Sequence, residues 1–252
     1  MNNLSKLTQK TVLKDLNQED FDCYLLKTVD STNNFAKQAE LTKPFLLVLS
    51  EQQTAGKGRQ GKSWYSPDAG NIYMSLKFKL NRDINNPLSL IIGLLISKSI
   101  EKLSKNTIQP KLKWPNDLVL NNKKICGILI ESEVIENEIE YIIGIGINYA
   151  LPKKESWWGE LGELESILPR DKLINMILKK ISQYINHDES DWVSDWEERC
   201  IHMNQEIQIL TNTNQEQSGV FVGIDDQGCM KIELATGLKL INSGECSIKG
   251  LY

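Results

Sequence analysis

The chain has 252 residues, a formal net charge of −4 and a pI near 5.4, with 40% hydrophobic and 25% charged residues. That composition is ordinary for a globular protein and excludes disordered, collagen-like or fibrous chains, while the acidic balance argues against a duplex-DNA-binding surface. The longest apolar run, Leu88 to Ile96, falls well short of the roughly 20 residues of a membrane span. Met1 to Lys14 lacks the apolar core of a secretory leader, so the expectation is a cytoplasmic protein.

In chain order, the pattern predicts a short strand around Tyr24 to Lys27 and then a helix capped by Ser31 or Thr32. Phe45 to Ser50 is a continuous apolar run, hence a buried strand. Asn71 to Leu80 alternates Ile72, Met74, Leu76, Phe78 and Leu80 at period two, which predicts a half-buried strand. Pro87 to Lys105 has helical spacing and ends in lysines. Leu118–Leu120 and Ile125–Glu131 flank Asn121-Asn122, a hairpin signature, because Asn tolerates positive φ. Ile128–Ile135 and Ile139–Tyr149 form a second hairpin across Glu136 to Glu138. Helices are expected over Lys172–Tyr184 and Trp192–Met203. Beyond Glu206 only short strands remain, at Ile207–Leu210, Val220–Ile224, Met230–Leu234, Leu238–Ile241 and Cys246–Ile248, and their turns predict a small β-barrel. The expected domains are residues 1–204 and 205–252.

Cys23, Cys126, Cys200, Cys229 and Cys246 contain no C-x-x-C pair, which fits reduced thiols. The two histidines, His187 and His202, have no ligand spacing, so no transition-metal site built by the protein is expected. His187, beside Asp188 and Glu189, reads as a solvated helix end.

Chemistry concentrates in three places. Thr54 to Trp64 holds Gly56, Gly58 and Gly61 interleaved with Lys57, Arg59 and Lys62, with no acid between Gln52 and Pro67. Such a loop is either a solvated basic connection or a backbone cradle for phosphate. Trp64 at its exit is either core or a stacking surface for a nucleobase. The second is Lys113-Trp114-Pro115-Asn116-Asp117, followed by Lys124-Ile125-Cys126-Gly127. Pro115 breaks the strand and presents Asn116 and Asp117, while Lys124 at the mouth of an apolar strand either snorkels to water or pairs with an anion. The third is Gly144-Ile-Gly-Ile-Asn148, whose alternate glycines make either a ligand groove or a bulge.

With Asp30-Ser-Thr-Asn33 upstream, these segments resemble the biotin protein ligase family in order and spacing. The family's G-R-G-R-x-G-R loop stands here as Gly56-Lys-Gly-Arg-Gln-Gly-Lys62, and its K-W-P-N-D is unchanged at Lys113 to Asp117. K-[IL]-x-G-I-L-x-E matches Lys124 to Glu131, and G-x-G-I-N matches Gly144 to Asn148. Lysine replaces arginine at Lys57 and Lys62, which keeps the charge and loses the bidentate fork. The chain is lysine-rich throughout, only four of its 29 basic residues being arginine.

The resemblance implies an α+β fold: a mixed, largely antiparallel sheet flanked by helices, class II synthetase-like, plus a C-terminal SH3-like β-barrel. It implies a ligase that joins biotin to ATP as biotinoyl-5′-adenylate and passes biotin to a lysine of the biotin carboxyl carrier protein of acetyl-CoA carboxylase. A lipoate ligase or octanoyltransferase of the same fold is the alternative enzyme, the latter needing an acyl-carrying cysteine for which Cys126 is the candidate. A non-catalytic biotin sensor is the alternative outside catalysis. Carried over residue by residue, Lys124 and Arg59 are catalytic. Ser31, Thr32, Asn33 and Gln53 meet the biotin head, and Gly56, Lys57, Gly58, Gly127 and Gly144 complete the biotin slot. Lys62, Trp64, Asn116, Asp117 and Asn148 join Arg59 and Lys124 on the adenylate. Mg²⁺ accompanies ATP, with Asp117 the one candidate protein contact. No DNA or membrane partner is expected, and the assembly is a monomer or weak homodimer.

Overall fold

The structure is a computed structural model that describes residues 7–80, 87–153, 155–164, 168–186, 192–211 and 215–249; His187 lies outside them. The helices are α1 (Gln9–Val12), α2 (Thr32–Gln38), α3 (Leu88–Leu103), α4 (Arg170–Asn186) and α5 (Trp192–Arg199). A seven-stranded sheet is built from β1 (Phe21–Val29), β2 (Phe45–Gln53), β3 (Ile72–Leu80), β4 (Lys111–Lys113), β5 (Asp117–Leu120), β6 (Lys123–Ile135) and β7 (Glu138–Ile147). Its strand order is β1-β2-β3-β7-β6-β5-β4. Only β1 and β2, joined through α2, run parallel; every other neighbour is antiparallel. The C-terminal strands β8 (Glu206–Thr211), β9 (Glu216–Ile224), β10 (Met230–Leu234), β11 (Gly237–Ile241) and β12 (Cys246–Lys249) form a five-stranded antiparallel sheet ordered β11-β10-β9-β8-β12.

Turn chemistry sets the hairpins. Asn121 and Asn122 adopt φ of 51° and 60°, the mirror-image turn that matches strand twist, and Glu136 at 58° opens the β6–β7 turn.

The large sheet buries both faces. Along β2, Leu47 and Leu49 enter the main core under α3 and α4, while Leu46 and Val48 point the other way to a small core beneath α2 with Ala36 and Ile142. The half-buried reading of β3 is therefore corrected. Its apolar residues face the main core, and Tyr73, Ser75 and Lys77 on the opposite face are also buried, because α2 packs over this face and the Tyr73 hydroxyl is tied to Pro67 and Asn71. Lys77 is tolerable there because Nζ pairs with Glu140 at 3.0 Å and donates to the Ala39 carbonyl at the end of α2.

The two sheets meet at a seam tied by hydrogen bonds. Ile201 N–H donates to the Leu112 carbonyl, and Asn204 N–H to that of Phe221. Trp114 is 1% exposed and donates Nε1–H to the Gly228 carbonyl at 3.0 Å. His202 is buried at this seam against Phe221. Burial, with Lys113 nearby, pushes its imidazole from 6.5 down to about 4. Between those two pH values the unfolded chain binds the proton and the folded one does not. His202's contribution is thus complete above pH 6.5, falls as pH drops through the window, and is gone below 4. The expected loss across it is about 3 kcal/mol. Urea midpoints at pH 7 and pH 4.5 measure it, and His202→Leu should flatten that part of the profile; an unchanged slope in the variant refutes the assignment.

Candidate active site

A cleft of about 510 Å³ opens on the α2 face of the large sheet, beyond the end of the helix that carries Ser31, Thr32 and Asn33. Its floor lies where β6 and β7 lose their side chains. Gly127 and Gly146 are register partners, and the Trp64 indole lies across both. A Cβ at Gly146 would sit 2.6 Å from the ring, and one at Gly127 2.8 Å. The alternate glycines make no bulge but let Asn33 and Trp64 pack down onto the strands, and Trp64 lines the cleft.

The glycine-rich segment is an ordered arch. Lys57 bridges to Ser63, Gly58 N–H donates to the Lys62 carbonyl and Trp64 N–H to that of Gly56, with a tight turn at Arg59–Gly61. Gln60 and Gly61 take φ of 53° and 73° at the tip. Gly56 packs behind the arch against the Trp64 carbonyl and Ser66 and is the one site residue expected from the sequence that does not line the cleft. No room exists for a side chain there, so its glycine serves the arch's fold rather than ligand contact.

At one end of the cleft, Gln53 accepts on Oε1 from the Thr32 N–H (2.8 Å) and from the Thr32 hydroxyl (3.1 Å) and donates Nε2–H to Ser66 Oγ. Ser31 precedes α2 without a side-chain cap bond. Asn33 lies between Gly144, Ser75 and Glu131. Lys57 at the rim donates to Asn34 Oδ1.

At the other end positive charge converges. Lys124 does not snorkel: Nζ pairs with Asp117 Oδ1 at 2.7 Å, both side chains are about 15% exposed, and the ammonium stands 5.2 Å from the Trp64 ring centre. The Lys113–Asp117 hairpin positions this pair, turning through a cis Trp114–Pro115 peptide. Asn116 donates Nδ2–H to the Ile128 carbonyl and receives Arg59 Nη1–H at 3.5 Å. Arg59 also donates Nη2–H to the Ser243 carbonyl, reaching the C-terminal sheet. Burial lowers the Arg59 guanidinium from its ordinary value, opposed by Asp117, without discharging it. Asn148 is buried and donates to the Gly159 carbonyl, tying the cleft wall at Trp157 and Trp158 to β6.

Several wall residues escaped the sequence reading. Gly146 and Lys113 sit inside quoted motifs. Burial drives the Lys113 ammonium down to about 8, Asp117 opposing and Lys124 and Lys62 adding to the fall. Trp157 and Trp158 lie in an aperiodic stretch, and Cys246 and Ile248 arrive from the C-terminal sheet. Cys126 is wholly buried, and burial pushes its thiol far above the thiolate range, so it is not an acyl carrier.

The arrangement suits two anions brought together: cations at the middle and far end, hydrogen-bonding groups at the near end, glycines between. Comparison with known proteins agrees. The chain matches the biotin/lipoate A/B protein ligase family over residues 25–148 and the biotin protein ligase C-terminal domain over residues 202–249. It is 30% identical over 239 residues to the bifunctional ligase/repressor of Escherichia coli, covering 89% of this chain and 73% of that one. It is 28% identical to the biotin–[acetyl-CoA-carboxylase] ligase of Paracoccus denitrificans, over 90% of this chain and all of that one. The biotin protein ligase of Aquifex aeolicus, solved with biotin and ATP, superposes with a TM-score of 0.73 at 26% identity, over 90% of this chain and 98% of that one. Motifs, fold and cleft converge on one assignment: this chain belongs to the biotin protein ligase family.

Proposed function

We propose that the cleft condenses biotin with ATP to biotinoyl-5′-adenylate and pyrophosphate, then delivers biotin to a lysine of a biotin carboxyl carrier domain. The observation that carries this is the Lys124–Asp117 pair, held rigid between Trp64 and the Lys113–Asp117 hairpin and flanked by Arg59 and Lys62. A biotin carboxylate and an α-phosphate repel each other unless a cation lies between them; Lys124 is that cation, positioned by Asp117 and Trp64. Arg59, Lys57 and Lys62 neutralise the remaining phosphate charge. Gly127 and Gly144 let Trp64 and Asn33 pack down onto the strands beside the path of the biotin chain, and Ser31, Thr32, Asn33 and Gln53 receive its head. Trp64, Asn116 and Asn148 shape the nucleotide side.

Among the described residues no group of three or more His, Cys, Asp or Glu can hold a metal ion. Mg²⁺ would accompany ATP, with Asp117, beside Lys124, the residue placed to meet it. No described helix is long and apolar enough to cross a membrane. All five cysteines are unpaired, which fits a reducing, cytoplasmic address. The acidic pI supports action without DNA.

Pyrophosphate release that requires both biotin and Mg·ATP, followed by avidin-detectable labelling of a biotin carboxyl carrier domain, is the expected result. Release with lipoate in place of biotin, or biotin binding without turnover, overturns it.

A further inference from the structure

Glu131 closes the K-[IL]-x-G-I-L-x-E segment, yet neither it nor Ser75 lines the cleft. Both touch residues that do. Asn33 donates Nδ2–H to Glu131 Oε2 at 2.6 Å, and Ser75 Oγ donates to Asn33 Oδ1 at 2.6 Å, with Thr32 Oγ1 at 2.8 Å. Asn33, Ser75 and Thr32 are all under 5% exposed, so water does not relax the arrangement. Beside them Gly144 leaves the space that Asn33 Oδ1 fills.

Proton counting makes this chain directional. A carboxylate only accepts, so Glu131 forces the Asn33 amide to face it with Nδ2 and to turn Oδ1 toward Ser75. Ser75 has a single proton, and the shorter contact to a polarised amide oxygen takes it. The Thr32 hydroxyl gives its own proton to Gln53 Oε1, and Ser75 Oγ is the protein donor that reaches its lone pairs. With the Ser75 proton committed to Asn33, both Thr32 lone pairs stay free for the cleft. Without Glu131 the amide can turn over. Nδ2–H then occupies Ser75, and the Ser75 proton moves onto Thr32 and takes up one of those lone pairs.

We propose that Glu131 is a positioning residue for the head-group end of the cleft: through Asn33 and Ser75 it keeps the Thr32 hydroxyl an acceptor, selecting a ligand that offers an N–H donor, as a cyclic urea does. This rests on the reading that places the biotin head at Thr32 and Gln53.

The test is steady-state kinetics of pyrophosphate release with biotin and with biotin methylated at a urea nitrogen. Glu131→Ala should raise the KM for biotin roughly tenfold, the worth of one well-made buried hydrogen bond, with the KM for ATP and kcat within about twofold. The preference for biotin over its N-methyl analogue should shrink in the same variant. Glu131→Gln, which can present an amide oxygen to the same N–H, should stay within about threefold of the parent. If Glu131→Ala does not fold, Ser75→Ala breaks the chain one link on and must give the same selective rise. Thr32→Val separates the two readings. A raised biotin KM in Thr32→Val alone removes Glu131 and keeps the head-group placement. No change in any variant removes the placement as well. Equal rises in both substrates' KM reduce Glu131 to a structural role and overturn the proposal.

Discussion

Replacing Lys124 by glutamine is expected to slow adenylate formation by roughly two orders of magnitude or more, the usual cost of losing a preorganised charge. The side chain keeps most of its length and its contact with Trp64, so the cleft should keep its shape. Biotin binding alone should suffer less, since without ATP the carboxylate has no second anion beside it. One complication is Asp117, which Lys124 holds at 2.7 Å. A buried carboxylate stripped of its partner destabilises the fold by itself. The double variant Lys124→Gln/Asp117→Asn removes that penalty: stability should return while the rate stays low. Lys57→Arg is the reference substitution, expected to be as active as the parent or slightly more so, because a guanidinium grips an oxyanion pair. Single-turnover pyrophosphate release on folded variants measures all three. Near-normal adenylation by Lys124→Gln would falsify the bridging role.

The second large effect is on stability. Trp114 is among the largest fully buried side chains and joins the Lys113–Asp117 hairpin to the turn before β10. Trp114→Ala removes an aromatic volume and leaves the Gly228 carbonyl unpaired. The seam cannot collapse to fill the space, because Gly228 already packs against Pro87 and Leu90. The expected cost is about 3–5 kcal/mol. That corresponds to a melting temperature lower by on the order of 10 °C for a chain of this size. Trp114→Phe keeps most of the apolar contact and loses the hydrogen bond, at about 1–2 kcal/mol. Because the same seam carries Arg59 to Ser243, the residual activity of Trp114→Ala should show a larger rise in KM for ATP than for biotin. A melting temperature unmoved by the alanine substitution shows that the hairpin does not need the C-terminal sheet.

What the sequence disclosed was mostly local. The β5–β6 hairpin was legible because Asn121 and Asn122 carry their positive φ in their own chemistry. The motif residues were legible because each cluster occupies consecutive positions and needs no tertiary knowledge to recognise. β3 misled because period two reports the alternation of side-chain type, not what covers each face. Lys77 looks solvent-bound until Glu140 and the end of α2 are brought to it from distant segments. Trp157, Trp158, Cys246 and Ile248 were silent for the same reason: their places in the wall come from pairings across long sequence separations. Gly56 erred in the opposite direction, since a motif marks residues that build a loop as well as those that touch a ligand.

The reach of Arg59 to Ser243, with Cys246 and Ile248 in the cleft wall, also bears on how the protein is made. A ribosome delivers the glycine arch, the Lys113–Asp117 hairpin and both glycine strands long before residues 243–248 exist. Until then that end of the cleft stands open to water, and Arg59 lacks its carbonyl partner. The cleft wall is thus completed late in synthesis, after most of the chain has emerged. A nascent chain of this protein has no sheltered place in which to hold a reactive acyl phosphate.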